Sequence, residues 1–120
     1  MKAAITAQKG SMDSQIDGRF GRCQFFILVD TVSGEHEVFE NPALSAGGGA
    51  GIQAAQFVAN KKADFVISGN FGPKAYQTLQ AAGIKMYSAH TRTVSEALED
   101  YKSGKLSAVS SPTAPEHSGI

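Results

Sequence analysis

The sequence predicts a single three-layer α/β domain built on a five-stranded mixed sheet, and three observations carry that prediction. At 120 residues the chain is long enough for one hydrophobic core and too short for a separate catalytic module. Two apolar runs joined by a Gly-containing turn read as a hairpin, after which strand and helix patterns alternate, calling for right-handed crossovers and mainly parallel pairing. The 13 glycines exceed the share of an average protein and fall between these elements, where the chain must turn.

The first strand is the apolar run from Lys2 to Ala7. Residues 8–21 form a polar loop holding Gly10, Ser11, Asp13, Ser14, Asp17 and Gly18. Gln24 to Thr31 is a continuous apolar run of strand length, expected to be buried on both faces. Val32-Ser33-Gly34-Glu35 has turn chemistry, and His36 to Glu40 completes the hairpin. Asn41-Pro42 stops that strand, because proline cannot donate to a ladder.

Ala50 to Asn60 carries its apolar residues at three- and four-residue spacing and reads as the first helix. Asp64 to Ser68 is a buried strand. A second helix, Lys74 to Ala82, follows, with Pro73 suited to its first turn and Gly83 to its C-terminal cap. Ile84 to Ser88 is the fifth strand. The third helix runs from Thr93 to Ser103, where Thr93 and Glu96 make a capping box, and Gly104 ends it. Residues 1–104 therefore form the domain, and residues 105–120, rich in Ser, Pro and Ala, are expected to be a mobile tail.

Placing the first strand centrally gives the order 3-2-1-4-5, with strand 2 antiparallel to the rest. The loops after strands one, three, four and five then share one sheet end, as does Cys23 before strand two. In open α/β sheets ligands bind at that end. The segments gathered there are Ala46-Gly47-Gly48-Gly49-Ala50-Gly51, Gly69-Asn70-Phe71-Gly72 and Ala89-His90-Thr91-Arg92. Each leads into a helix, so three helix N-termini, each with unpaired N–H donors and a partial positive charge, are expected to point at one spot. Lys9, Arg19, Arg22, Lys74 and Arg92 outnumber Asp13 and Asp17 there. The expected guest is an anion, approached closely by glycine backbone.

Composition narrows the alternatives. Eleven basic residues balance eleven acidic ones, which argues against a nucleic-acid or membrane-surface binder. No signal peptide pattern and no long apolar run is present, and the single cysteine permits neither an internal disulfide nor an all-cysteine metal cage, so a cytoplasmic location is expected. A nucleotide loop fits poorly. Gly49-x-Gly51-x-x-Ala54 approximates a dinucleotide motif but does not follow a strand directly, and no acidic ribose partner stands at the usual distance. The strand order resembles the ribonuclease H-like arrangement, whose chemistry needs carboxylates on the central strands. The first strand has none, and Asp30 lies at the opposite sheet end. His36 on the hairpin and His117 in the tail form no triad.

Arg19-Phe20-Gly21-Arg22, Phe25 to Asp30, Glu40-Asn41-Pro42, Gly47 to Ile52, Ser68 to Ala75 and Ala81 to Lys85 together resemble the dinitrogenase iron–molybdenum cofactor biosynthesis family. That family includes nitrogenase cofactor carriers and insertion factors and the bacterial orange protein, which holds a molybdenum–copper sulfide cluster. The resemblance spans about residues 1 to 105. It implies a ribonuclease H-like fold, no catalysis, and an anionic metal–sulfur cluster of the molybdenum–copper sulfide or iron–molybdenum type. The expected role is a non-catalytic carrier or chaperone that serves a client or scaffold protein. The alternative is a regulatory or protein-interaction domain of the same fold with no cluster.

Individual residues keep two readings each. Cys23 is a thiolate activated by nearby arginine and helix dipoles, or a small buried hydrophobe. His90 is a metal ligand or a surface turn residue. Met12 offers sulfur suited to copper(I), or packs. Arg19, Arg22 and Arg92 contact sulfide or oxo groups, or keep the surface soluble. Phe20 and Phe71 wall the pocket, or anchor its loops, while Phe25, Phe26, Phe39, Phe57 and Phe65 read as core. A preassembled cluster held by N–H donors and arginines suits this sparse ligand inventory.

Overall fold

The computed structural model describes residues 1–113. Strands β1 (Lys2–Ala7), β2 (Phe25–Asp30), β3 (His36–Glu40), β4 (Phe65–Ser68), β5 (Lys85–Ser88) and β6 (Ser107–Ala108) make one sheet. Helices α1 (Ala50–Asn60), α2 (Pro73–Ala81) and α3 (Val94–Lys102) cover its two faces. The strand order is β3-β2-β1-β4-β5-β6. Strand β2 runs antiparallel to β1 and β3, while β4 pairs parallel with β1 and β5.

The sheet thus has six strands where the sequence predicts five. Strand β6 pairs antiparallel with β5 through Tyr87 with Ala108 and Ser88 with Ser107. Two residues, Ser and Ala, carry no alternation that a sequence pattern could register. What recruits them is the free edge of β5, whose backbone groups need partners. This strand lies inside the segment expected as a tail; residues 114–120, with His117, lie outside the described residues.

Side chains alternate across the sheet with the period of two that strands impose. Ala4, Phe26, Leu28 and Val66 face α1 and α2, whereas Ile5, Ile27, Val29, Phe65 and Ile67 face α3. Phe26 and Phe65 are fully buried, while Phe25, Phe39 and Phe57 are partly so. Lys61 lies over the Phe39 ring with its Nζ 4.4 Å from the centroid. Small residues let α1 and α2 approach closely. A Cβ added at Gly51 would lie 3.2 Å from the Ala75 Cβ. The expected helix ends form: Gly83 and Gly104 adopt φ of 74° and 72°, and Thr93 with Glu96 closes the capping box.

Candidate functional site

The carboxyl ends of β1, β4 and β5 and the start of β2 share one end of the sheet, and the glycine-bearing loops join there. Short backbone ladders stitch them together. Arg19 pairs with Asn70, the Phe20 amide donates to the Asn70 carbonyl at 3.2 Å, and Asn70 Nδ2 donates to the Gly18 carbonyl at 3.2 Å. On the other side of the loop after β1, Gln15 pairs with Thr93 and the Ile16 amide donates to the Arg92 carbonyl at 3.0 Å.

Two buried polar residues, to which the sequence reading gave no part in holding the loops, fix this layout. Asp17 accepts the Arg19 amide on one carboxylate oxygen and the Gln24 amide on the other, at 3.1 and 3.3 Å. Asn41 donates to the Gly21 and Cys23 carbonyls, both at 3.0 Å, and accepts the Ala43 amide at 2.9 Å. The sequence signal for Asn41 was its place before Pro42, since asparagine side chains close local turns in such settings. The signal for Asp17 was the Asp17-Gly18 pair, which marks a turn but not a buried carboxylate.

The candidate residues divide between the two faces of the sheet end. Arg19 to Cys23, Gly47 to Gly51 and Asn70 to Gly72 gather on the side of α1 and α2, where Phe20 and Phe71 stack at 5.5 Å. Met12 and the residues around Arg92 lie on the α3 side, against the other half of the core. Phe20 and Phe71 are 1% and 0% exposed, so they anchor the loops from beneath and are not open pocket walls.

The three helix N-termini are not equivalent, which corrects the expectation of three converging donors. The first turn of α3 is filled: the Val94 amide donates to the Ser14 carbonyl, the Ser95 amide to the Met12 carbonyl and the Glu96 amide to Thr93 Oγ1. Neither α1 nor α2 has a side-chain cap, and their first turns stand side by side at the Gly51–Ala75 contact. Helix α1 starts from Gly49 at φ 72°, a left-handed conformation that glycine adopts without steric cost. Gly47 and Gly48 are exposed, neither has positive φ, and a Cβ on either would meet nothing within 4 Å.

The arginines also separate. Arg92 Nη1 binds Asp100 Oδ2 at 2.6 Å and Arg92 Nε donates to the His90 carbonyl, drawing the side chain along α3. Arg22 donates to the Leu44 and Ala46 carbonyls at 3.1 and 2.9 Å, clamping the chain that enters the glycine run. Arg19 is 56% exposed, with Nε 3.7 Å from Asp17. Lys9 and Lys74 are exposed.

The soft-ligand candidates do not assemble into a cage. Cys23 is fully buried, and loss of water raises its thiol pKa well above the ordinary value of 9.0, with Asp17 adding to the rise and Arg19 only partly opposing it. Of the two readings of Cys23, the small buried hydrophobe fits this setting better than the activated thiolate, because loss of water outweighs the pull of the Arg19 guanidinium. His90 is exposed, with Nε2 3.2 Å from Ser88 Oγ, and Thr91 beside it has φ of 50°. Met12 is half-buried. Among the described residues no three His, Cys, Asp or Glu side chains group to hold a metal ion, and no helix is long and apolar enough to cross a membrane.

This fold and its glycine-lined end place the chain in a defined class: it belongs to the dinitrogenase iron–molybdenum cofactor family, whose sequence model matches residues 1–104. The orange protein of Desulfovibrio gigas, solved in its apo form, is 36% identical, with 94% of this chain and 96% of that one covered at a TM-score of 0.92. A Thermotoga protein of the DUF35 family, described as a candidate NifB protein, is 34% identical over 94% of this chain and 97% of its own, with a TM-score of 0.83. An uncharacterised protein of Methanocaldococcus jannaschii is 34% identical over 97 residues, covering 78% of this chain and 82% of that relative.

Proposed function

We propose that this protein is a non-catalytic carrier of an anionic metal–sulfur cluster, of the molybdenum–copper sulfide or iron–molybdenum type, held at the joined N-termini of α1 and α2. The observation that carries this reading is the pair Gly47 and Gly48. Neither backbone conformation nor packing calls for glycine there, and both stand exposed just before an uncapped helix start. A guest that touches backbone explains two such residues, because side chains would hold it off. The first-turn amides of α1 and α2 supply donors for sulfide or oxo groups, and Arg19 supplies a cation. Membership of the family and likeness to the orange protein support the choice of guest.

The chemistry asked of the chain is retention, not ligation. Cys23 is held protonated beneath the loops and no metal-binding group of side chains stands among the described residues, so the cluster arrives assembled and leaves whole, delivered to a client protein. The ribonuclease H-like topology serves as a scaffold that brings two helix starts together without contributing carboxylates.

Reconstitution tests the proposal. Apoprotein treated with tetrathiomolybdate and copper(I), or with an iron–sulfur cluster donor, is expected to gain visible absorption bands that persist through gel filtration. Protein that stays colourless after both treatments overturns the carrier reading and leaves an interaction domain in its place.

A further inference from the structure

Beyond the residues matched by the family model, the chain returns along β5 and α2 to the turn at Phe71. After β6, the Val109 amide donates to the Met86 carbonyl at 2.9 Å, and the Tyr76 hydroxyl, on α2, donates to the Ser110 carbonyl at 2.7 Å. Thr113 then binds Phe71 twice: the Phe71 amide donates to Thr113 Oγ1 and the Thr113 amide donates to the Phe71 carbonyl, both at 2.9 Å. Pro112, between these anchors, has a fixed φ and biases Ser111 toward an extended conformation, which suits a strap.

Phe71 occupies a demanding position. It lies in the turn between β4 and α2, its side chain is fully buried against Phe20, and Gly72 after it is the N-cap of α2. Neither a strand ladder nor a helix supplies partners for its backbone groups, and a buried peptide left without them is costly. The turn is held on one flank by Gly18 and Phe20, which bind Asn70. On the other flank it is held by Thr113.

We propose that Thr113 is a positioning residue for the cluster site: its double hydrogen bond to Phe71 sets the 69–72 turn and so aims the first turn of α2 at the guest. This rests on the carrier reading. By linkage, whatever tightens the strap tightens cargo, and bound cargo in turn holds the strap down. The strap lies outside the segment that the family model matches, and through it retention of the same guest is adjusted.

The test uses the full chain with Thr113→Ala, Thr113→Ser and, in case the first variant destabilises the fold, Tyr76→Phe, which frees the strap one anchor earlier. Two quantities are read: the exchange rate of the Phe71 amide in apoprotein, and the rate at which protein loaded with tetrathiomolybdate and copper loses its visible bands. Losing one such bond is expected to speed both by roughly three- to tenfold in Thr113→Ala, with a smaller change in Tyr76→Phe and recovery in Thr113→Ser. Faster exchange with unchanged cargo release would reduce the strap to a structural latch and overturn the proposal, as would no change in either. Wild-type protein that takes up no cargo removes the carrier reading, and the positioning role falls with it, whereas wild-type uptake with unaltered variants removes the strap alone.

Discussion

Gly18 and Gly69 touch backbone to backbone: a Cβ built on Gly69 would lie 2.6 Å from the Gly18 Cα and 2.9 Å from its carbonyl oxygen. The contact is where the loop after β1 crosses the turn after β4, and Asn70 fastens it from the next position. Because the obstructing atoms are main chain, they cannot swing aside. Gly69→Ala is therefore expected to destabilise the protein by about 1–3 kcal/mol, the usual cost of overpacking a well-packed site, measured as a lower midpoint in urea. An unchanged midpoint would show that the two loops separate freely.

Gly47 and Gly48 predict the opposite pattern. Alanine at either position meets open space and no left-handed backbone, so stability should stay within about 0.5 kcal/mol of wild type. Cargo uptake should nevertheless fall, and fall further with Gly48→Val, as the side chain occupies the approach to the α1 N-terminus. Reconstitution titrations on variants with wild-type thermal stability would read this directly. Uptake equal to wild type in both would assign the two glycines to loop geometry.

The difference between these glycines marks what a sequence can and cannot reveal. Strand order, hairpin and helix placement were legible because β1, β2 and β4 carry unbroken apolar runs, and because Gly83, Gly104 and the Thr93–Glu96 box punctuate the helices. The gathering of loops at one end followed from that order. Strand β6 was not legible, since Ser107 and Ala108 pair through backbone alone. Nor was the fate of charges: Arg92 and Arg22 look equivalent to Arg19 in sequence, yet their partners, Asp100 and the 44–46 carbonyls, are set by tertiary packing. The two readings of Cys23 stayed open for the same reason, because counting nearby cations says nothing about how completely water is removed.

Burial of Cys23 has a consequence in alkaline solution. Its folded pKa is raised above the ordinary 9.0 by desolvation first and by Asp17 second. Below that value both folded and unfolded thiols are protonated and the stabilising contribution is complete. As pH rises through it the unfolded thiol ionises while the folded one does not, so the unfolded state binds fewer protons and stability falls. Tyr101, also raised by burial, adds a second decline further up. Urea midpoints measured between about pH 8 and 10.5 should fall in wild type and fall less steeply in Cys23→Ala, whose difference isolates the thiol from the tyrosine. Parallel curves would place the thiol in contact with water.

Arg19 and Arg92 offer the sharpest contrast between a charge available to a guest and one already committed. Arg92 is bound to Asp100 at 2.6 Å with both side chains about a third exposed, 33% and 27%, so Arg92→Ala should cost at most about 1 kcal/mol of stability and leave cargo affinity unchanged. Arg19 stands more exposed, and its ion pair among the described residues is a 3.7 Å approach to Asp17, whose carboxylate oxygens already accept two backbone amides. Arg19→Ala should leave stability nearly intact and weaken cluster binding by roughly tenfold, the worth of one charge-assisted hydrogen bond at a partly exposed site. Arg19→Lys should recover only part of this, because an ammonium cannot present the guanidinium's two parallel donors to a sulfide or oxo edge. Equal losses in Arg19→Ala and Arg92→Ala would move the guest toward the α3 side of the sheet end, and a loss confined to Arg92→Ala would place it there.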